Sequence, residues 1–232
     1  MQYNHTVLGT LVDRPNRFVA HVQLGDSVET VHVKNTGRCR ELLLPGSTVV
    51  LAQGDNPARK TKYDLIAVWK DPLGWVNIDS QAPNQVMKDW LDSGESCFGA
   101  LDVVRPEVTW GKSRFDFYLE RGQERILLEV KGCTLEVDGV GYFPDAPTER
   151  GVKHLRELAA AVTQGYVCYL AFVIAMPGVR KVLPNVATDP AFGAALAEAE
   201  AAGVHILYVP CAVAPDSLRA STGPMVAQAE RQ

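Results

Sequence analysis

The sequence predicts two domains, an all-β N-terminal half and an α/β C-terminal half with a mixed sheet. Three observations carry this. Over the first eighty residues, short β-branched runs alternate with turns rich in Gly, Asn, Asp and Pro. A helical period first appears near residue 83. Beyond it, apolar strands and helices alternate, which implies crossover connections and some parallel pairing.

The elements follow in order. "RFVAHVQL", "VETVHVKN", "STVVLAQ", "YDLIAVWK" and "WVNID" are the strands of the first half, separated by "LGDS", "NTGR", "LPGS", "GDNP" and "DPLG". Five short strands at this spacing make a small barrel or a sandwich. In "QAPNQVMKDWLDSG", Pro83 and Asn84 open a helix, and Val86, Met87, Trp90 and Leu91 recur at helical spacing. The boundary is placed just before it, giving domains 1–82 and 83–232. "VRPEVTW", "SRFDFYLE" and "RILLEVKG" are three strands in succession. "DAPTERGVKHLRELAAAVTQG" is a helix with an apolar stripe of Val152, Leu155, Leu158, Ala159 and Val162, stopped by Gly165. "YVCYLAFVIAM" is apolar throughout, as a strand covered on both faces must be. "DPAFGAALAEAEAAG" is a further helix and "VHILYVP" the last strand. From about residue 215 the Ala- and Gln-rich tail is expected to be loosely ordered.

Composition narrows the class. The chain has 232 residues, of which 47% are hydrophobic and 22% charged, enough for one large core or two small ones. No apolar run reaches the length of a membrane span. "MQYNHTVLGTLVDRP" lacks the basic and apolar regions of a signal peptide. Five scattered cysteines, none in a C-x-x-C pair, fit a reducing cytoplasm and argue against a structural zinc site. The net charge of −4 speaks against a uniformly basic nucleic-acid binder, but local patches bind, not averages. "KNTGRCR" and "RKTK" are two such patches.

The chemistry centres on "ILLEVKG". Alternation puts Leu127, Glu129 and Lys131 on one face and Leu128 and Val130 on the other. In "RFDFYL" it puts Phe115, Phe117 and Leu119 on one side and Asp116 on the other. If the two strands are neighbours, Asp116 meets Glu129 and Lys131 across the ladder. Two converging carboxylates suit Mg²⁺ or Mn²⁺, hard cations that retain waters of their own. A lysine beside them orients a water or neutralises developing charge. That is equipment for phosphodiester hydrolysis, although a Glu and a Lys two apart also occur as an ion pair on solvated strands. Glu107 is a third acid within reach, or an edge-strand surface charge.

Asp145 is expected to cap the following helix, with Pro147 near its first turn. That helix presents Arg150, Lys153 and His154, which can face a phosphate; the alternatives are i,i+4 ion pairs and, for His154, packing. Lys34, Arg38 and Arg40 surround the turn Asn35–Thr36–Gly37 and are candidate phosphate contacts on the barrel.

"RFVAHVQL", "VHVKNTGR", "LLLPGSTVVLA", "NPARKTKYDL", "GKSRFDFYL", "LLEVKGCTL", "FPDAPTERGVKHLREL" and "DPAFGAAL" occur here in order. In this the chain resembles the sugar fermentation stimulation protein A (SfsA) family, from about residue 14 to residue 210. The resemblance implies an OB-type barrel joined to a PD-(D/E)XK nuclease-like domain with a mixed sheet, in a bacterial, cytoplasmic, DNA-binding protein. RNA is a second nucleic acid to consider, and no membrane partner is implied. It equates Asp116 with the acid of the nuclease fold's second core strand, and Glu129 and Lys131 with its E-x-K. The chain departs from the strict motif: no proline precedes Asp116, and Pro144–Asp145 follows the E-x-K instead of preceding it. The expected activity is a Mg²⁺- or Mn²⁺-dependent nuclease, with Asp116, Glu129 and Glu107 at the metal. The alternative is a non-catalytic DNA-binding regulator of sugar (maltose) metabolism on a nuclease-like scaffold.

Overall fold

The computed structural model describes residues 1–35, 37–54, 56, 58–221 and 225–226, the last two as backbone only. The first half forms strands β1 (Thr6–Asp13), β2 (Val19–Leu24), β3 (Ser27–Val33), β4 (Thr48–Gln53), β5 (Tyr63–Lys70) and β6 (Gly74–Asn77). Their order is β3-β2-β1-β4-β5-β6, and a parallel pairing of β3 with β5 closes five of them into a barrel. Closure removes free edges, so a small all-β unit can bury Val22, Val31, Val49, Leu51, Leu65 and Val68 completely. The strand reading found all of these except β1. Only Leu11 of β1 is buried, and Val7, Leu8 and Val12 are exposed, so its apolar residues do not mark an inside face.

Helix α1 (Ala82–Asp92) follows, with the expected Val86, Met87, Trp90 and Leu91 buried. Then come β7 (Val103–Trp110), β8 (Ser113–Arg121) and β9 (Glu124–Cys133), and a small hairpin, β10 (Leu135–Val137) and β11 (Val140–Phe143). Helix α2 (Glu149–Val162), β12 (Val167–Ile174), β13 (Val182–Pro184), helix α3 (Pro190–Ala201), β14 (His205–Ala214), β15 (Ser217–Ala220) and β16 (Met225–Val226) complete the chain. The main sheet runs β15-β14-β12-β9-β8-β7, with β16 also on β14. β9, β12 and β14 are parallel through the crossovers α2 and α3; the rest is antiparallel. The all-apolar β12 lies at the sheet's middle, as its composition requires.

Two expectations about this half are corrected. The chain does not loosen at residue 215: β15 pairs with β14, and Leu218 is fully buried. It also anchors the amino terminus, since Met1 donates to the Leu218 carbonyl at 2.8 Å and Tyr3 to the Asp216 carbonyl at 2.8 Å. Residues 222–224 and 227–232 of the tail lie outside the described set. Among the described residues, no helix is long and apolar enough to cross a membrane.

The second correction decides the site. Phe117 and Leu119 pack with α1, whereas Phe115 packs with the core on the α2 side, 5.7 Å from the His154 ring. The three therefore do not share a face, and alternation along β8 slips once, at Asp116. The neighbouring edge strand explains why. Glu107 of β7, between the pairs Pro106↔Phe117 and Val108↔Phe115, has φ +54°, and Pro106 has no N–H to give. The β7–β8 ladder lacks one pair there and resumes in the same register, and the β8–β9 pairing ends at Phe117↔Leu128. β8 leaves β9 at Asp116.

Gly132 sets how closely α1 approaches β9. A Cβ there would lie 2.7 Å from the Pro83 Cγ, in a contact where both partners are fixed by backbone. Gly132→Ala is expected to cost about 1–3 kcal/mol, read as a lower urea midpoint with an unchanged slope.

Candidate functional site

Where β8 and β9 part, a cleft of about 470 Å³ opens between the sheet and the barrel. Asp116, Glu129 and Lys131 lie on its floor, Asn84 and Arg150 come from the two helices, and Arg17, Gly37 and Asp79 come from the barrel side. The three residues singled out in "RFDFYL" and "ILLEVKG" are thus brought together.

Glu129 is 2% exposed. Its Oε1 is shared by two donors, the Lys131 ammonium and the His154 ring at Nδ1. Burial alone would push its carboxyl up; Lys131 and the His154 hydrogen bond outweigh this and hold it below the usual carboxylate range. Its Oε2 is buried with no hydrogen-bond partner. A buried anionic oxygen without a donor is costly.

Asp116 is fastened differently. Its Oδ2 accepts from the Val130 amide at 2.7 Å, replacing a ladder bond lost where the strands diverge. Its Oδ1 accepts from Asn84 Nδ2 at 2.7 Å. Burial, and next the Glu129 charge, push its carboxyl up. The two acids are opposite cases: Glu129 has its compensating charge, and Asp116 carries its own at a cost.

The remaining predicted residues spread out. Glu107 is exposed on the edge strand, 3.5 Å from Arg114, and does not line the cleft. Arg150 lines it. Lys153 is exposed and donates to the Lys112 carbonyl in the β7–β8 turn. His154 is buried beneath the surface, between Glu129 and Arg150, in a place for holding side chains and not for meeting a phosphate directly. Lys34 is paired at 3.0 Å with Asp79, whose side chain is fully buried and also accepts from the Tyr3 hydroxyl and the Gln81 amide. Its charge serves the junction between barrel and α1. Arg38 and Arg40 are exposed on either side of buried Cys39; Thr36, in the same turn, is outside the described residues.

Asp145 is a correction. The cap of α2 is Thr148, whose hydroxyl accepts from the Gly151 amide at 3.0 Å. Asp145 instead reaches the barrel, where its Oδ2 accepts from the amides of Arg38 at 2.7 Å and Cys39 at 3.3 Å. Only glycine fits beside it, because a Cβ on Gly37 would lie 2.4 Å from that oxygen. Reading the sequence missed this tie, the Asn84–Asp116 bond and Arg17. The signal for the tie is the glycine in "NTGR", which serves the close approach of Asp145 as well as the turn.

Among the described residues no three His, Cys, Asp or Glu side chains gather closely enough to hold a metal by themselves. Two carboxylates are nevertheless the protein share that Mg²⁺ commonly takes, with waters and substrate phosphate supplying the rest.

Residues 81–217 match the family profile described as the sugar fermentation stimulation protein RE domain, and residues 12–78 the SfsA N-terminal OB domain. The chain belongs to the SfsA family. Its closed five-stranded barrel is therefore an OB domain, joined to a mixed-sheet domain of the SfsA type. The sugar fermentation stimulation protein homolog of Desulfitobacterium hafniense (strain DSM 10664 / DCB-2) is 52% identical over 220 residues, covering 95% of each chain. That of Ruminiclostridium cellulolyticum is 46% identical over 213 residues, covering 92% of this chain and 93% of its own. The solved structure of Pyrococcus furiosus SfsA in complex with Ca²⁺ superposes with a TM-score of 0.84 at 24% identity, covering 96% of each chain, a likeness of fold.

Two predictions concern stability in this SfsA-family protein. Removing Lys34 leaves the Asp79 carboxylate buried without its countercharge. Lys34→Met is expected to destabilise by about 3 kcal/mol in urea denaturation, whereas Arg38→Ala and Arg40→Ala shift the midpoint little. Asp116→Asn acts in the opposite sense. The folded carboxyl is raised above its unfolded value, so its contribution to stability is present in acid and lost as pH rises through the folded pKa. At pH 7 with metal chelated, Asp116→Asn is expected to melt about 2–4 °C higher than wild type. The gain should vanish below about pH 4.

Proposed function

We propose that this protein binds nucleic acid in the cleft and hydrolyses phosphodiester bonds there with a divalent metal, on a PD-(D/E)XK nuclease-like scaffold. The observation that carries the reading is the cleft floor itself. Two carboxylates from diverging strands meet beside a lysine, and one buried oxygen, Glu129 Oε2, has no partner. A relative of the same fold was solved with Ca²⁺, which, like Mg²⁺, prefers oxygen ligands. DNA is the first substrate to consider and RNA the second.

In this reading Asp116 and Glu129 hold Mg²⁺ or Mn²⁺, which when bound supplies Lewis-acid stabilisation of charge on the phosphoryl oxygens. Lys131, fixed by its ion pair to Glu129, orients the attacking water and offsets developing negative charge. Arg150 of α2 and Arg17 of the barrel, which both line the cleft, would contact phosphates. Arg38 and Arg40 extend the basic surface outward on the barrel. Glu107 has no part in it. A second reading, a DNA-binding regulator of sugar metabolism without catalysis, is favoured by the absence of a third metal-ligating side chain among the described residues.

The variant that separates them is Asp116→Asn, measured on a panel of single- and double-stranded DNA and RNA. Wild type is expected to cleave with Mn²⁺ and the variant at least 100-fold more slowly. With metal chelated, the variant should bind as tightly as wild type or tighter, because a negative neighbour of the phosphate is gone; the repulsion relieved is about 1 kcal/mol even in a water-like dielectric. Wild type that cleaves nothing with any divalent metal, yet binds DNA, makes the regulator the correct reading.

A further inference from the structure

His154 is the one titratable side chain at the site that is both wholly buried and bonded at both ring nitrogens. Its Nε2 lies 3.3 Å from Arg150 Nε, and its Nδ1 is bonded to Glu129 Oε1. A guanidinium nitrogen can only donate. His154 Nε2 therefore accepts, and the ring is neutral with its single proton on Nδ1, pointed at Glu129. This fixes more than a tautomer. Held at Oε1 by His154 and Lys131, the Glu129 carboxylate cannot rotate to offer that oxygen elsewhere, and Oε2 is the oxygen left without a partner. Held at Nε, Arg150 keeps both terminal nitrogens, which have no other hydrogen bond among the described residues, on the cleft wall. The ring itself is fixed edge-on by Phe115.

We infer that His154 is a positioning residue with two separable tasks: Nδ1–H sets Glu129 for a divalent cation, and Nε2 sets Arg150 for a substrate phosphate. The inference rests on the metal-dependent nucleic-acid reading of the cleft and adds to it a single side chain that connects cation and phosphate. Neither Glu129 nor Arg150 touches the other directly; the imidazole spans them. A partner that fixes a ligand's orientation from behind is typically worth 10- to 100-fold in metal affinity or activity.

Two substitutions pull the tasks apart. The amide nitrogen of asparagine falls near the place of Nδ1, so His154→Asn keeps a donor for Glu129 and loses the acceptor for Arg150. The longer glutamine puts its amide near the place of Nε2, so His154→Gln keeps the acceptor and loses the donor. Three quantities are measured on the full chain: Mn²⁺ affinity by paramagnetic resonance without nucleic acid, affinity for a labelled oligonucleotide with metal chelated, and melting temperature. His154→Gln is expected to weaken Mn²⁺ binding about 10- to 100-fold with oligonucleotide affinity within threefold of wild type. His154→Asn should do the reverse, weakening the oligonucleotide several-fold and leaving Mn²⁺ within threefold.

If both variants melt lower but keep both affinities, His154 is a packing residue and the inference is overturned. Equal loss of both affinities in both variants overturns it too. Wild type that binds Mn²⁺ yet cleaves nothing ends the nuclease reading alone, and the inference then stands or falls on the Mn²⁺ affinities. Wild type that cleaves, with variants of unaltered affinity, ends the inference alone. Wild type that binds no Mn²⁺ removes both.

Discussion

A charged carboxylate at the centre of the structure, Glu129 at 2% exposure, is the constraint around which this half of the protein is organised. An isolated buried carboxylate would take up a proton. Here it stays ionised because two donors converge on one of its oxygens. One comes from the same strand two residues on, as Lys131; the other comes from the crossover helix, as His154. The parallel β9–α2–β12 connection is what returns a helix over that strand face. Fold and charge are thus one problem: the strand supplies the countercharge, and the topology that covers the sheet delivers the second donor.

Asp116 shows the complementary arrangement. Its carboxyl fills the place of a ladder acceptor where β8 turns from β9, so backbone geometry fixes it, not an opposite charge. It remains an electrostatic burden, raised by burial and by Glu129. In the proposed reading, a cation set between the two carboxylates would relieve this repulsion. The feature that lowers stability of the protein is then the same one that the proposed metal would exploit, a trade common at functional sites.

The cleft has two walls because the domains are tied at both ends of it. On one side Asp145 occupies the amides of the barrel turn at Arg38 and Cys39, with Gly37 clearing the approach. On the other, Asp79 gathers Lys34, Tyr3 and the Gln81 amide where the barrel runs into α1. Lys70 adds a further ion pair to Glu136. These ties use charged groups that otherwise look like a basic surface patch.

By itself the sequence determined what depends on short period. The five strands with an inside face, the three helices, the crossover order and the shared face of Glu129 and Lys131 all follow from repeats of two or 3.6 residues. The tertiary structure alone decided whatever depends on a partner distant in the chain. Strand β1 is legible only once its neighbours β2 and β4 exist, because its own apolar residues are largely exposed. The slip at Asp116 comes from Pro106 and Glu107 on the next strand, and no alternation rule applied to "RFDFYL" contains it. Asp145 resembles a helix cap in every local respect until the barrel turn meets it, and Lys34 a surface lysine until buried Asp79 packs against it. Burial sets the worth of a charge, and burial is a property of the packed chain, not of any segment of it.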